Sequence, residues 1–592
     1  MDYAFGPLVS EAGVEFRLWA PLVEAVSLKV EGAEPHPMEQ TKDGRFRCHV
    51  AGAGPGSLYK FVLPDGSEVP DCASRFQPRD VHGPSEVVDL RAFQWETRSW
   101  VGRPWEECVI YELHIGSFTA EGTFRSAIER LDHLAELGVS AIQVMPVSDF
   151  PGRYNWGYDG VLPYAPDSSY GRPEDLMALV DAAHARGISV FLDVVYNHFG
   201  PDGNYLPAYA PLFTKQHKTP WGNGINYDGH ASTAVREFVI QNAVYWIKEF
   251  RLDGLRLDAV HAIKDDSREH LLHELARRVR EASGARHVHL IVENEDNDSD
   301  LLRRDEQGRI RQFTAQWNDD VHHVLHIAAT GEIFGYYKDY ADDGDKVGRA
   351  LAEGFVFQGE HMPYRGARRG KSSVDLPPTA FISFIQNHDQ IGNRAVGDRM
   401  TTYRPLEPIK AVTAVYLLSP QIPMLFMGEE WGAREPFPYF CDFDEELNEK
   451  VRNGRREELS RLPGFDDDDL MDPTAQSTFE AAKLDWRGLH NAAAAHMLVF
   501  YKILLNLRHR RIVPLLKGAP RGSGRFRREG SVIAVEWMLA KGANLHLQAN
   551  LSNEPGKITP LPGVEQIFTL GSAASRTLAP WSVISSISVG PS

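Results

Sequence analysis

Three acidic residues each stand just past a short apolar run: Asp258 in GLRLDAV, Glu293 in LIVENED and Asp389 in FIQNHDQ. Runs of that length and composition read as buried strands. Each carboxylate then sits where strand gives way to loop. Cleaving a glycosidic bond takes two carboxyl groups, one as nucleophile or base and one as acid. Three carboxylates at one end of a sheet, with Arg256, His198 and His388 close by in sequence, suit that chemistry. One Asp after one strand is ordinarily a helix N-cap or a loop residue. The weight lies in three such positions, in order, along one repeating pattern.

The neighbours of each acid sharpen the expectation. In RLDAVH (Arg256–His261), side chains alternate along the strand, so Arg256 and Asp258 share a face. A guanidinium beside a carboxylate favours the ionised form, which a nucleophile needs. A structural ion pair would look the same. Glu293, in VENED, is the acid/base candidate. It must carry a proton to give to the leaving oxygen, and partial burial near other carboxylates would supply that. Glu295 and Asp296 read as loop acids without a chemical role. DVVYNH (Asp193–His198) brings an Asp-Asn-His cluster that could position a sugar hydroxyl, hold the base of the site, or simply tie off a strand end. In IQNHDQIGN, His388 and Asp389 could grip adjacent hydroxyls, with Gln390 and Asn393 as neutral partners. Tyr154, Trp156, Tyr158, Trp221, Trp317 and Trp431 occupy the same kind of loop. Such rings stack on sugar faces or fill a core.

Elements must place these groups. Between about 106 and 510, short strands alternate with amphipathic helices. The strands expected are Val109–His114, Ala141–Val147, Ser189–Val195, Gly254–Asp258, His289–Val292, Gln312–Gln316, Phe381–Ile385 and Met424–Met427. The clearest helices are Phe124–Leu137, Pro173–Ala185, Ala234–Phe250, Arg268–Glu281, Ile409–Leu418 and Ala493–Arg508. Pro173 at a helix start, acids in the first turn and Gly187 at the stop are typical punctuation. Eight strands with intervening helices predict an α/β fold, a (β/α)8 TIM barrel whose site lies at the C-terminal strand ends. A doubly wound sheet would need a Gly-rich phosphate loop after the first strand, and YELHIGSF offers none. Residues 1–97 alternate with a period of two between Gly and Pro breaks and read as an N-terminal β-sandwich. Residues 98–516 form the barrel unit. Strands return in 517–592 as a small C-terminal β-domain. The loop 199–232 is long enough for a subdomain or lid. The stretch 436–478, with FDDDDLMD, reads as an acidic, irregular loop; its spacing is wrong for a calcium-binding EF-hand.

Composition narrows the partners. The chain has 592 residues, 43% apolar and 24% charged, with 63 Lys and Arg against 81 Asp and Glu, a net charge of −18. That charge disfavours nucleic acid and fits a neutral, small-molecule substrate. No run is long enough to span a membrane, and the first residues do not resemble a secretory leader. A cytoplasmic setting is expected. Cys48, Cys72, Cys108 and Cys441 are far apart and read as free thiols, not as a zinc site or a disulfide framework.

Taken together, DVVYNH, GLRLDAVH, IVENE and FIQNHDQ resemble the four signature regions of the α-amylase family of glycoside hydrolases. The likeness covers nearly the whole chain. It implies Asp258 as nucleophile, Glu293 as acid/base and Asp389 as transition-state stabiliser. It also implies that Arg256, His198 and His388 line the −1 sugar subsite, that Tyr158 stacks under that sugar, and that His261 borders it. Many relatives have Ala before the catalytic Glu where this chain has Val292, a small apolar exchange. Longer segments, among them RYNWGYDGV, QWNDDVHHVLH and FIQNHDQIGNRA, resemble one hydrolytic branch of the family. That branch cuts the α-1,4 bond beside a terminal trehalose on a maltooligosaccharide, with retention and without metal or organic cofactor. By this likeness Asn318, Asp319, Asp320, Gln390 and Asn393 contribute to substrate recognition. The alternative is a glucan branching transferase on the same barrel.

Overall fold

The structure, a computed structural model, describes residues 3–341, 344–461, 470–574 and 576–589. Eight parallel strands close a barrel: β1 (Ile110–Leu113), β2 (Ala141–Val144), β3 (Ser189–Val194), β4 (Gly254–Leu257), β5 (His289–Val292), β6 (Ala315–Trp317), β7 (Phe381–Ser383) and β8 (Ile422–Phe426). The ring shuts where β8 pairs with β1, Met424 opposite Ile110. Every residue of these strands is buried. One face meets the barrel interior and the other the surrounding helices, which is why the strands read as unbroken apolar runs. The exceptions matter. Glu112, Gln143, Asp193, Arg256 and Gln316 are also buried. Glu112 lies opposite Gln143, and Asp193 opposite Arg256, so the polar interior groups are level across neighbouring strands.

Several boundaries differ from the sequence reading. The sixth strand comes later, at Ala315–Trp317. The carbonyl of Gln312 accepts from Arg280, and those of Phe313 and Thr314 from Arg304, so side chains take the groups a ladder would have used. β8 starts two residues earlier and runs through Pro423. The helix expected over Phe124–Leu137 is two, Phe124–Ile128 and Leu131–Leu137. At Glu129 and Arg130 the amides bond three residues back, a 3-10 pattern that tightens and breaks the α-helix. Pro173–Ala185 forms as expected, and Ser232–Glu249, Leu271–Ser283, Leu406–Leu418 and Ala492–Leu507 overlap the other helices anticipated.

The stretch read as an irregular acidic loop contains a helix, Glu445–Leu459. Asp444 caps it by accepting from the Leu447 amide, Glu445 and Glu446 fill the first turn, and Lys450 pairs with Glu446 one turn back. Its charge made it look unstructured, yet charge arranged this way supports a solvated helix. Residues 465–469 of the FDDDDLMD run lie outside the described residues. The loop after β3 carries a hairpin, Phe213–Thr219 with Gly222–Ile225.

The N-terminal strands make a four-stranded sheet and a five-stranded sheet, with Phe16, Leu18 and Phe46 buried on one and Leu28, Tyr59 and Phe61 on the other. Phe16 and Tyr59 rings meet across them at 4.6 Å. The C-terminal strands form a five-stranded and a three-stranded sheet. Buried Trp537 there donates to the Leu351 carbonyl of the barrel unit at 3.1 Å.

Candidate active site

Arg256, on β4, organises the carboxylates. Its guanidinium is fully buried and lies 4.1 Å over the Trp317 ring. Nη1 donates to Asp193 Oδ2 at 2.7 Å and Asp258 Oδ1 at 2.8 Å, and Nη2 donates to Glu293 Oε2 at 2.9 Å. One cation therefore ties together the ends of β3, β4 and β5. Burial opposes its charge, but Asp193, Glu293 and Asp258 around it hold its pKa well above the ordinary value.

Asp258 and Glu293 share this cation but not the rest of their surroundings. Asp258 has both oxygens engaged: Oδ1 by Arg256 and Oδ2 by Asn197 Nδ2 at 2.8 Å. Only ionic or neutral N–H donors meet it, and they fix the orientation of the carboxyl group. Glu293 takes Arg256 and the Ala259 amide, at 2.9 Å, on the same oxygen, Oε2. Among the described residues its Oε1 has no partner. Ala259 adopts a left-handed backbone, φ 38°. That conformation costs an L-residue about 1–2 kcal/mol, and here it accompanies an N–H directed at Glu293. Burial pushes the Glu293 pKa well above the usual carboxylate range; Arg256 opposes this, and Asp258, Asp389 and Asp319 add to it.

A second cluster faces the first. Asp389 lies in the first turn of the short helix His388–Gly392, capped by the Asn387 side chain. His388 is buried between two acids, with Nδ1 2.7 Å from Glu112 Oε1 and Nε2 3.4 Å from Asp389 Oδ1. Burial alone would lower its pKa, but Asp389 and Glu112 outweigh that and raise it well above 6.5. The imidazolium in turn holds Asp389 below its ordinary value against the effect of burial. Tyr158 stacks on the His388 ring at 5.2 Å, and its hydroxyl donates to Asp193 Oδ2 at 2.8 Å. Burial raises Asp193 to about 7, with Arg256 pulling the other way. His198 Nε2 contacts the Tyr158 carbonyl at 2.9 Å, and its ring stacks on Trp221 at 4.3 Å.

Not every expected contact faces the cleft. Asn318 is buried; it caps the helix Asp319–Thr330 and donates to the Gly354 carbonyl at 2.9 Å. Asp320 is buried too, bound to Arg369 at 2.8 Å, the Tyr340 hydroxyl at 2.6 Å and the Val356 amide at 2.7 Å. In both residues polar atoms already have protein partners. Asp319, between them, points elsewhere: its Oδ1 receives Gln390 Nε2 at 3.4 Å, and burial raises it to about 7. Among the described residues Gln390 Oε1 has no partner. Asn393 is exposed and accepts from Arg455 at 3.3 Å. His261 lies beside Glu295, accepting its amide at 3.3 Å. Of the aromatics, Tyr154, Trp156, Trp317 and Trp431 are buried and packed on protein rings or groups, while Trp221 is half exposed.

Two of the partners, Asn197 and Asp193, belong to the cluster that the motif DVVYNH already offers. Glu112 was missed, although a charge inside the otherwise apolar strand IYEL was its signal. Among the described residues one set has metal-ligand spacing, His217, Asp228 and Asp266, and it shares no member with the carboxylate cluster.

Residues 79–211 match the model of the alpha amylase catalytic domain, and 521–584 match a domain of unknown function, DUF3459. The malto-oligosyltrehalose trehalohydrolase of Saccharolobus solfataricus is 44% identical over 505 residues, covering 85% of this chain and 86% of its own. That of Deinococcus radiodurans is 42% identical over 544 residues, covering 91% and 88%. A crystal structure of a protein assigned as an alpha amylase, from Salmonella typhimurium, superposes with a TM-score of 0.95 at 46% identity, covering 99% of this chain and all of its own. A branching enzyme from Jannaschia matches less, 32% over 295 residues and 45% of this chain.

Proposed function

The chain belongs to the malto-oligosyltrehalose trehalohydrolases of the α-amylase family, and from that premise we propose the bond it cuts and the residues that cut it. It hydrolyses the α-1,4-glucosidic bond next to the terminal trehalose of a maltooligosyltrehalose. Trehalose and a maltooligosaccharide are released, with retained configuration.

The observation that carries the division of labour is the difference between two carboxyls on one guanidinium. Glu293 keeps its proton and has one oxygen free; Asp258 has both oxygens turned to N–H donors. Glu293 therefore gives its proton to the glycosidic oxygen as that bond breaks. Asp258 forms a bond to the anomeric carbon from the opposite side, and the trehalose leaves as an alcohol. Water then attacks the same carbon, its proton passing to Glu293 and the carbon–Asp258 bond breaking. Positive charge developing on the sugar faces Asp389, whose pKa His388 holds down, with Asp258 on the reacting carbon. His388, as an imidazolium beside Asp389, donates to a hydroxyl of the same ring. Tyr158 supplies the stacking face. Asp319 and Gln390 form the polar edge for the next sugar unit. Carboxyls working in this way lie about 5–5.5 Å apart in retaining enzymes.

Product analysis tests the proposal. Purified protein is given maltotriosyltrehalose and, separately, maltopentaose. Rapid release of trehalose from the first, with slow or no cleavage of the second, is expected. Absence of trehalose overturns the substrate. New α-1,6 linkages on a longer glucan would replace hydrolysis by branching transfer.

A further inference from the structure

The hairpin after β3 and the loop after β4 meet at three potential metal ligands. His217 lies in the outgoing strand, Phe213–Thr219; Asp228 follows the hairpin; Asp266 lies eight residues past Asp258. One ligand atom from each falls within 4.8 Å of the others. His217 Nε2 is 2.7 Å from Asp228 Oδ2 and 3.9 Å from Asp266 Oδ2. The Asp228 side chain is only 4% exposed, yet among the described residues its Oδ1 has no hydrogen-bond partner. Its Oδ2 already serves both His217 and the Asp266 amide, the latter at 2.8 Å. A buried oxygen left this way is costly and calls for an explanation. Asp265 next door offers a contrast, since Arg236 neutralises it at 2.6 Å. Among the described residues no Lys or Arg pairs with Asp228 or Asp266.

We propose that His217, Asp228 and Asp266 bind a divalent transition-metal cation of the zinc class, which clasps the hairpin to the loop after β4. The donor set decides the class. One imidazole with two carboxylates suits zinc, whereas calcium takes six to eight oxygens. Donors about 2 Å from a tetrahedral ion stand roughly 3.3 Å apart. The observed 2.7 and 3.9 Å bracket that separation. The free Oδ1 of Asp228 supplies a lone pair; His217 Nε2 exchanges its bond to Oδ2 for the ion, and Oδ2 keeps the Asp266 amide. Asp266, 77% exposed, leaves a way in from solvent and a fourth position for water. The hairpin carries Trp221, stacked on His198 of the carboxylate site. The ion thus steadies one wall of the cleft and takes no part in bond cleavage.

The full chain, stripped with a chelator, is titrated with zinc chloride by calorimetry and with cobalt(II) by visible absorption. One zinc per chain and the intense bands of four-coordinate cobalt are expected. His217→Ala and Asp228→Asn should each weaken zinc binding about tenfold or more, while His496→Ala, at an exposed histidine, should not. Zinc should also slow proteolysis within 213–225 in the wild type and not in His217→Ala. Three results overturn the site: no stoichiometric zinc, zinc binding unchanged in both variants, or binding of calcium in place of zinc. None of these bears on trehalose release, so this inference and the hydrolase proposal fail separately.

Discussion

Glu293 and Asp258 are both carboxylates, and Arg256 touches both. What separates them is the remaining oxygen of each. Replacing Glu293 with Gln keeps its shape and removes its proton; kcat should fall about 10^3-fold, with a substrate bearing a good aryl leaving group losing much less. Equal loss on both substrates would exclude the acid role. Because burial holds the Glu293 pKa up, activity is retained as pH rises past the ordinary carboxylate range and declines as pH passes the raised value. His388 obeys the same sign: its proton is present at low pH and lost above its raised pKa. Glu112 raises that pKa by contact at 2.7 Å. In Glu112→Gln the His388 proton should therefore leave at lower pH, moving the alkaline limb of kcat/KM down by about one unit. A limb that does not move would leave Glu112 a merely structural role.

At the scale of elements, the ends of β3, β4 and β5 are held level by one buried cation and three carboxylates. Removing one partner of a buried ionic cluster commonly costs about 3–5 kcal/mol, since charges remain without compensation. Arg256→Met should lower the denaturant midpoint by that order, read from urea unfolding followed by intrinsic fluorescence. Wild-type stability in this variant would mean that water replaces the guanidinium. The turn after β4 carries the opposite prediction. Ala259 sits in the left-handed region at φ 38°, so Ala259→Gly should be neutral or stabilising by up to about 1 kcal/mol. The hairpin Phe213–Thr219/Gly222–Ile225 shows how an element carries a functional side chain without a core of its own: its residues are mostly exposed or half-buried, and Trp221 reaches the site by stacking on His198.

At the scale of the molecule, we propose that the chain divides near 97/98 and 516/517 into a sandwich, a barrel and a terminal β-domain. The last is fastened to the barrel in part by buried Trp537, whose indole N–H reaches the Leu351 carbonyl at 3.1 Å. Trp537→Ala should cost about 3–5 kcal/mol in that unit and admit protease within 517–592 before the barrel is cut. Simultaneous loss of all three units would show that they unfold as one.

The alternation of apolar runs with amphipathic helices determined the barrel, and the residues after those runs determined which side chains reach its open end. That much is local: a strand end is written in the few residues that make it, as at Asp258, Glu293 and Asp389. Pro173–Ala185 was legible to the residue because proline, first-turn acids and glycine each act on their own neighbours. What local sequence leaves open is who meets whom. Asn318, Asp319 and Asp320 are consecutive, yet only Asp319 turns toward Gln390, while its neighbours are consumed by Gly354 and Arg369. Glu112 acquires a function only because the barrel closes β8 onto β1 and sets β7 close by, bringing His388 to it across 276 positions of chain. The raised pKa of Glu293 is likewise a property of burial and of three acids brought near it by the fold. Charge state depends on solvent exclusion and on separations through space, and both exist only once the chain has folded.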